Sequence, residues 1–324
     1  MSKSIEFRTA ESVSPKHPDK LADQVSDAIL DAHLAEDPQA RVAVDVCGGH
    51  GKIFVTGEVT SSAREVDVPA IVQRIVGDIE LIENLVRQSP EIAKGVDIGG
   101  AGDQGIMIGY ACSETEELLP LEVVLSRRLN QKLYEIWPYD GKTQVTLNHK
   151  NEISHVVASY QNAAKEHLDR AVREWLSTQT TSEDVECHIN PAGDWSIGGY
   201  EADAGLTGHK LAVDNYGPRI PIGGGAFSGK DPSKVDRSAA YMARKIAVDY
   251  LKIRRAEEVY VRIAYAIGVV EPLETTVIID GKAEQITGYD LTPNGIIKNL
   301  NLRRPIYEET SRYGHFGHGF CWEK

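Results

Sequence analysis

Cysteine is scarce in this sequence, and the positions of the cysteines show no pairing pattern. Cys47, Cys112, Cys187 and Cys321 are widely spaced and form no C-x-x-C motif. A disulfide framework and a cysteine-built zinc site are therefore disfavoured, and reduced thiols are expected. The location that this composition favours is the cytoplasm.

Long apolar runs are also missing. The first eight residues, MSKSIEFR, contain no apolar core of a signal peptide, and the richest uncharged run, residues 263–270, has only the length of a strand. We therefore expect no secretion signal, no membrane span and no membrane partner.

Positive charge is in deficit. The 324 residues include 35 Lys and Arg against 48 Asp and Glu, which gives a net charge of −13. This charge argues against a nucleic-acid partner, although local lysines can still bind an anionic ligand. The hydrophobic content of 41% is ordinary for a globular protein, and the length allows two or three domains.

The most distinctive stretch is GGGAFSGKDPSKVDR, residues 223–237. Its glycines let the backbone approach a ligand, and a helix predicted to start at Pro232 presents an N-terminus that favours an anion. Lys230 and Lys234 add positive charge, and Asp236 adds a carboxylate for a divalent cation. We interpret the stretch as a polyphosphate site with its metal; the alternative is a glycine-rich turn capped by Asp231.

A P-loop matches the same stretch less well. Residues 224–230 fit G-x-x-x-x-G-K, but Asp231 stands where a P-loop has Ser or Thr for magnesium. The preceding residues 216–221 contain two prolines and do not resemble a buried strand. We therefore reject a P-loop nucleotidase.

A helix is predicted to begin at Pro18 and to end before Pro38. This places His17 and Asp19 at the helix start, where an anion and its metal would lie.

The same predicted helix carries an acidic stripe, because Asp23, Asp27 and Asp31 recur every four residues. A solvent-exposed acidic face is the favoured interpretation of this stripe.

A β-hairpin followed by a helix occurs three times. The predicted strand pairs are 41–46 with 53–59, 143–147 with 153–159, and 259–265 with 275–279. The predicted helices are 68–85, 161–176 and one from about residue 293. This repeat predicts an α+β fold of three related subdomains, each a mostly antiparallel sheet covered by helices. The remaining apolar sheet faces would be buried, and a second subunit is one way to bury them.

Three further segments are ambiguous from the residues alone. Trp195, in a strand predicted between two turns, can stack on a base or fill the core, and core is favoured. Residues 211–214 are predicted to form another strand. His315, His318 and Cys321 are spaced by three, but a packed C-terminal tail is favoured over a metal site.

Together these stretches resemble the methionine adenosyltransferases, also called S-adenosylmethionine synthetases. The resemblance covers nearly the whole chain. The matching motifs are ESVSPKHPDK from residue 11, GAGDQG from 100, GLTG from 205, the stretch 223–237, YAIG from 265 and YGHFG from 313.

The resemblance implies three pseudo-symmetric α+β subdomains, which we place at residues 1–95, 96–197 and 198–324. It implies a homodimer whose sheets pack together and whose sites lie between the subunits; pairing of dimers into tetramers is left open. The implied reaction is attack of the L-methionine sulfur on C5′ of ATP. Tripolyphosphate leaves and is then hydrolysed to pyrophosphate and phosphate.

The resemblance also implies a role for individual residues. The implied catalytic residues are His17, Lys142, Lys210, Lys230 and Lys234. The implied ATP-binding residues are His17, Asp140, Lys142, Trp195, Asp203, His209, Lys210, Ala226 and Lys230, with Trp195 now stacking on adenine. The implied methionine-binding residues are Glu58, Gln88, Asp103, Asp203 and Lys234. The implied metal ligands are Asp19 and Asp236 for Mg²⁺, with two ions per site, and Asp45 for K⁺.

The chain departs from the family pattern at several places, including a region near Ile79 that looks shortened. His209 stands where the family has an arginine, and histidine lacks the guanidinium fork and is largely neutral at pH 7, so triphosphate hydrolysis or phosphate affinity would weaken. Asp45 replaces a glutamate, and the lid over the site looks shortened at residues 89–98. These departures suggest the alternative of a catalytically weakened nucleotide-binding or regulatory homologue; a polyphosphate hydrolase is a third reading.

Overall fold

The computed structural model describes residues 7–88 and 99–324. The predicted shortened lid, residues 89–98, lies outside the described residues. Within the described residues, the strands form three four-stranded sheets, each packed against helices. The predicted α+β class is therefore confirmed, while the packing of these sheets in a dimer stays a prediction.

The strands follow the predicted hairpins closely. Their bounds are β1 (Arg8–Val13), β2 (Arg41–Gly49), β3 (Lys52–Thr60), β4 (Glu80–Val86), β5 (Gly105–Cys112), β6 (Gly141–Leu147), β7 (Ile153–Tyr160), β8 (Thr181–Ile189), β9 (Gly205–Leu206), β10 (Glu258–Tyr265), β11 (Glu274–Ile279) and β12 (Lys282–Gln285).

Helices of very different length connect these strands, together with short 3₁₀ turns. The α-helices are α1 (Pro18–Glu36), α2 (Val68–Ile75), α3 (Leu121–Ile136), α4 (Lys165–Leu176), α5 (Leu211–Asp214), α6 (Val235–Arg254) and α7 (Pro293–Leu300). Among the described residues, no helix is both long and apolar enough to cross a membrane.

The three sheets are built to a common plan in which a strand is exchanged. The N-terminal sheet has the order β9-β2-β3-β4, the central sheet β1-β6-β7-β8, and the C-terminal sheet β5-β10-β11-β12. The first strand of each sheet comes from a different part of the chain and pairs antiparallel with the first hairpin strand. Each sheet thus draws strands from two of the three predicted segments, whose boundaries stay a prediction.

One long helix covers the same two strands in every sheet. Helix α1 packs on β2 and β9, α3 on β1 and β6, and α6 on β5 and β10. The fourth strand differs: β4 and β8 are parallel to their neighbours, whereas β12 is antiparallel. The reason is the connection, because α2 and α4 carry the chain back across the sheet, while a tight turn joins β11 to β12.

The helix predicted at 68–85 is wrong in its second half. It ends at Ile75, and Gly77 then adopts a positive φ of +100° that stops a helix. Residues 80–86 form β4, parallel to β3. The isoleucines at 75, 79 and 82 happen to fit helical spacing, which misled the periodicity argument.

Other local predictions also need correction. Residues 211–214 form the short helix α5 instead of a strand, and residues 194–197 are irregular instead of extended. Helix α4 begins at Lys165, four residues later than predicted, and α6 begins at Val235, so Pro232 is not its first residue. Helix α3 and strands β1, β4, β8, β9 and β12 were not predicted.

The acidic stripe on α1 is buried, so its interpretation as a solvent-exposed face is wrong. Asp23 and Asp27 are fully buried. Asp27 accepts two hydrogen bonds from Arg237, at 2.6 and 2.9 Å, and a third from the Gly229 N–H at 2.9 Å. Asp31 accepts the N–H groups of Tyr307 and Glu308. Charged side chains are tolerated in a core only when they are paired in this way.

The C-terminal tail is packed, as favoured, and all four cysteines are free thiols. His315 is fully buried, and its Nδ1 lies 2.7 Å from the Tyr241 hydroxyl. Tyr241 also stacks on Trp322, with ring centroids 3.8 Å apart. The described residues contain no group of three His, Cys, Asp or Glu side chains placed to hold a metal.

Asp27→Asn should destabilise the fold strongly, because it leaves the buried Arg237 guanidinium without its counter-charge. We expect the free energy of unfolding in urea to fall by about 3–5 kcal/mol. The matched control is Asp169→Asn, which breaks the exposed Asp169–Arg173 pair and should cost less than about 1 kcal/mol. Equal losses in the two variants would contradict the importance of the buried pair.

Candidate active site

The start of α1 presents a neutral histidine. His17 is the N-cap residue, and its Nδ1 accepts a hydrogen bond from the Asp19 N–H at 3.2 Å. Burial, together with the nearby charge of Lys210, lowers the pKa of His17 to about 4. The neutral ring therefore carries its hydrogen on Nε2, which is free to donate to a ligand.

Asp19 binds the loop that contains the GLTG motif. Its carboxylate accepts the Leu206 N–H at 3.0 Å and the Lys210 Nζ at 2.6 Å. Burial acts to raise the pKa of Asp19, but these two hydrogen bonds outweigh burial and lower it. His209 is more than half exposed, and its Nδ1 lies 3.9 Å from Asp19 Oδ1. Asp19 is thus an ionised carboxylate held between the Leu206 N–H and the Lys210 ammonium.

Residues at the start of β6 complete this group, which we call the first cluster. Asp140 accepts the Gly199 N–H at 3.0 Å, and burial, reinforced by the charge of Asp203, raises its pKa. Lys142 pairs with Glu11 at 2.7 Å, and its charge contributes to the low pKa of His17. The first cluster consists of His17, Asp19, Asp140, Lys142, Asp203, His209 and Lys210.

A cleft of about 360 Å³ opens beside the first cluster. Lys16, Tyr139 and Gly199 line it, and each is next to or bonded to a member of the cluster. This volume lies within the range of small-molecule sites, although neither His17 nor Asp140 itself lines the cleft.

The glycine-rich loop forms a second cluster around Asp236. Lys230 Nζ lies 2.7 Å from Asp236 Oδ2. A Cβ atom at Gly225 would lie 3.1 Å from Lys230 Nζ, and one at Gly224 would lie 3.0 Å from Asp236 Oδ1. Side chains at these positions would therefore crowd the ion pair. The second cluster consists of Lys230, Lys234 and Asp236.

Ala226 joins the two clusters. A Cβ atom at Gly208 would lie only 2.3 Å from the Ala226 Cβ, so the glycine-rich loop touches the loop that carries Lys210. Lys234, the N-cap residue of α6, pairs with the buried Asp231 instead of with Asp236.

The second cluster also borders the outer face of the N-terminal sheet. Lys230 forms a β-bridge with Ala43 of β2, and Ala43 is paired on its other side with Glu58 of β3. Residues paired directly across strands point to the same face. Glu58 and Asp45 are exposed, so they lie on the face that Lys230 borders.

Comparison with known proteins identifies the family. Three family models, for the N-terminal, central and C-terminal domains of S-adenosylmethionine synthetase, match residues 6–93, 98–195 and 197–324. The chain belongs to the S-adenosylmethionine synthetase family.

Named relatives agree over nearly the full length of the chain. The S-adenosylmethionine synthase of Cereibacter sphaeroides is 44% identical over 369 aligned residues, covering 98% of this chain and 95% of the relative. Those of Salinibacter ruber and of a Nitratiruptor species are both 42% identical with the same coverage. The family assigned from motifs is thus confirmed.

Three other residues implied by this family have the following surroundings. Trp195 is half-buried in an irregular loop, so the first interpretation of Trp195 as core was wrong. Asp103 is exposed and accepts the N–H of Gln104 at 2.7 Å. The Oε1 atom of Gln88 is buried without a hydrogen-bond partner among the described residues.

Sequence reasoning missed the buried partners of the first cluster. Lys20 lies behind it and pairs with both Asp23 and Asp214. The spacing of the aspartates predicted that Asp23 is exposed to solvent. Lys20 in the HPDK motif was a signal that a counter-charge lies one turn away from Asp23.

Asp19 and Asp236 offer hard oxygen ligands that fit Mg²⁺. Each carboxylate currently faces a lysine, Lys210 or Lys230, at 2.6 and 2.7 Å. Mg²⁺ is commonly bound by one or two carboxylates and completed by substrate phosphates and water. The arrangement therefore fits a metal that arrives with a polyphosphate.

We expect His17 to remain neutral at neutral pH. Because its pKa is lowered to about 4, a ¹⁵N-resolved NMR titration should show its ring unchanged between pH 8 and 6, protonated on Nε2 only. His17→Asn assigns the signal by its disappearance. A titration midpoint near the ordinary value of 6.5 would contradict the environment described for this ring.

Proposed function

We propose that this protein synthesises S-adenosylmethionine from ATP and L-methionine. The observation that carries the proposal is the full-length family match of a chain that also brings Asp19, Lys142 and Lys210 around His17. Its standing as a methionine adenosyltransferase follows from the names of relatives that share 42–44% of its residues.

The proposed reaction needs no general base, because a thioether sulfur is a neutral nucleophile. It needs alignment of the sulfur with C5′ of ATP and stabilisation of the departing tripolyphosphate. His17 can donate its Nε2–H to the oxygen that leaves C5′. Lys142, Lys210 and Lys230 place positive charge where the leaving group becomes more negative, which is the effect that most lowers such a barrier.

Cations would complete the charge compensation. We propose that Asp19 and Asp236 hold two Mg²⁺ ions with the phosphates, and that Asp45 holds K⁺ less tightly. Bound Mg²⁺ would neutralise phosphate charge and lower the energy of the leaving group.

Methionine binding and dimer formation are proposed together, because both involve the outer face of the N-terminal sheet. We propose that Glu58, Gln88, Asp103, Asp203 and Lys234 bind methionine, with carboxylates facing its ammonium. Because Glu58 and Asp45 lie on an outer sheet face, we propose a homodimer that brings this face to the first cluster of its partner. Exposed apolar side chains such as Phe54, Ile82 and Ile106 on the sheets support burial against a second copy. Four free thiols fit the cytoplasm.

We propose that tripolyphosphate is hydrolysed to pyrophosphate and phosphate, but slowly. His209 lies beside Asp19, where it can face the phosphates, yet it offers only one donor in place of a guanidinium fork. We further propose that the nucleotide is contacted by Trp195, Ala226 and Lys230.

Lys230→Met should lower kcat for S-adenosylmethionine formation by about 10²- to 10³-fold, since it removes one stabilising cation from the transition state. Product is quantified chromatographically after incubation with ATP, methionine, Mg²⁺ and K⁺. Lys132→Met, on the exposed face of α3, should retain the parent rate. Parent protein that forms no product would overturn the proposed function, and a Lys230 variant within twofold of the parent would overturn the role of this lysine.

His209→Arg should raise the ratio of phosphate released to S-adenosylmethionine formed, because a guanidinium can bind the tripolyphosphate in two places. Tripolyphosphate, pyrophosphate and phosphate are measured separately by ³¹P NMR. His167→Arg, on the exposed side of α4, is the control. An unchanged ratio in His209→Arg would show that His209 does not limit hydrolysis.

A further inference from the structure

A fully buried ion triad lies behind the first cluster. Lys20 donates to Asp23 at 2.8 Å and makes a close contact with Asp214. The side chains of Lys20, Asp23 and Asp214 are 0%, 0% and 3% exposed, so none of them can touch a substrate.

The triad is connected to both sides of Lys210. Asp23 accepts the Gly208 N–H at 2.8 Å, two residues before Lys210. Asp214 is the last residue of α5, whose N-cap is Lys210, and the Asp214 N–H donates to the Lys210 carbonyl at 2.9 Å. Lys20 links these two attachments, so a single ammonium on α1 fixes the loop and the short helix that flank Lys210.

Stability alone does not explain why these charges are buried. The desolvation cost of a buried ion pair often exceeds its Coulombic gain, and apolar replacements of similar volume are frequently as stable. A four-residue helix and a loop cannot hold a lysine in place by their own hydrogen bonds. An external polar clamp on both sides of that lysine supplies the missing rigidity.

We infer that Lys20, acting with Asp23 and Asp214, is a positioning residue that fixes Lys210 against the phosphates of the ligand. Lys210 Nζ is held from its other side by Asp19, so its ammonium is constrained at its tip and at its backbone. The inference rests on the proposed function only in taking a polyphosphate as the ligand.

The test measures binding of inorganic tripolyphosphate by calorimetry, with Mg²⁺ present, in a double-mutant cycle with Lys210. Lys20→Met should raise the dissociation constant at least fivefold in the parent background and less than twofold in a Lys210→Met background, because the triad acts through Lys210. A merely structural role would change both backgrounds by the same factor, and that result would overturn the inference.

Lys20→Met leaves two buried carboxylates without a counter-charge, so it can fail to fold. The second variant is Lys20→Met/Asp23→Asn/Asp214→Asn, which is neutral and nearly isosteric and keeps an acceptor for the Gly208 N–H. It should show the same dependence on Lys210, and an additive result in this folded variant would overturn the inference.

A matched control separates positioning from loss of stability. Glu323→Gln neutralises another buried carboxylate, which pairs with Arg244 of α6. It should lower the unfolding midpoint yet leave tripolyphosphate affinity within twofold; a larger change would point to general destabilisation and count against the inference. A parent that binds no tripolyphosphate would also overturn it, whereas a parent that binds tripolyphosphate but forms no S-adenosylmethionine would overturn the proposed function alone.

Discussion

The buried acidic stripe of α1 is the interaction on which both the fold and the candidate site depend. Asp19 and the three aspartates of the stripe lie one turn apart along α1, and each binds a residue within 198–324. The bonds, in order, are Asp19 to Leu206 and Lys210, Asp23 to Gly208, Asp27 to Gly229 and Arg237, and Asp31 to Tyr307 and Glu308. Since an unpaired buried carboxylate costs several kcal/mol, the buried position of α1 depends on the presence of these segments.

Assembly of the site and burial of the stripe are therefore one event. The partners are 185 to 277 residues away in sequence. Several of the cations and backbone N–H groups that bond to the aspartates of α1 belong to the loops that carry Lys210 and Lys230. A ligand anion meets a site whose lysines are already held by carboxylates. Under the proposed function, Mg²⁺ and phosphate would exchange partners with these existing ion pairs.

Local sequence patterns predicted helices and strands, but the roles of individual residues depend on contacts between distant parts of the chain. The hairpins around residues 48–51 and 148–152 followed from β-branched alternation and turn residues, and the start of α1 followed from Pro18. The helix predicted through Gly77 failed because apolar spacing cannot distinguish a short helix plus a strand from one longer helix. The burial of Asp23 and Asp27 depends on partners hundreds of residues away, which no spacing rule contains. Family motifs found His17, Asp19 and Lys210, whereas Lys20, although it closes the HPDK motif, and Asp214 are buried and received no role from the motifs.

The exchange of strands among the three sheets sets the order in which the sheets can be completed during synthesis. A chain emerges from the ribosome N-terminus first. The central sheet has all its strands once Ile189 is made, but the N-terminal sheet waits for Leu206 and the C-terminal sheet for Gln285. Until β9 arrives, the edge of β2 stays unpaired and open to strands of other chains. The central sheet is therefore the first whose strands have all been made, although translation begins at the N-terminus.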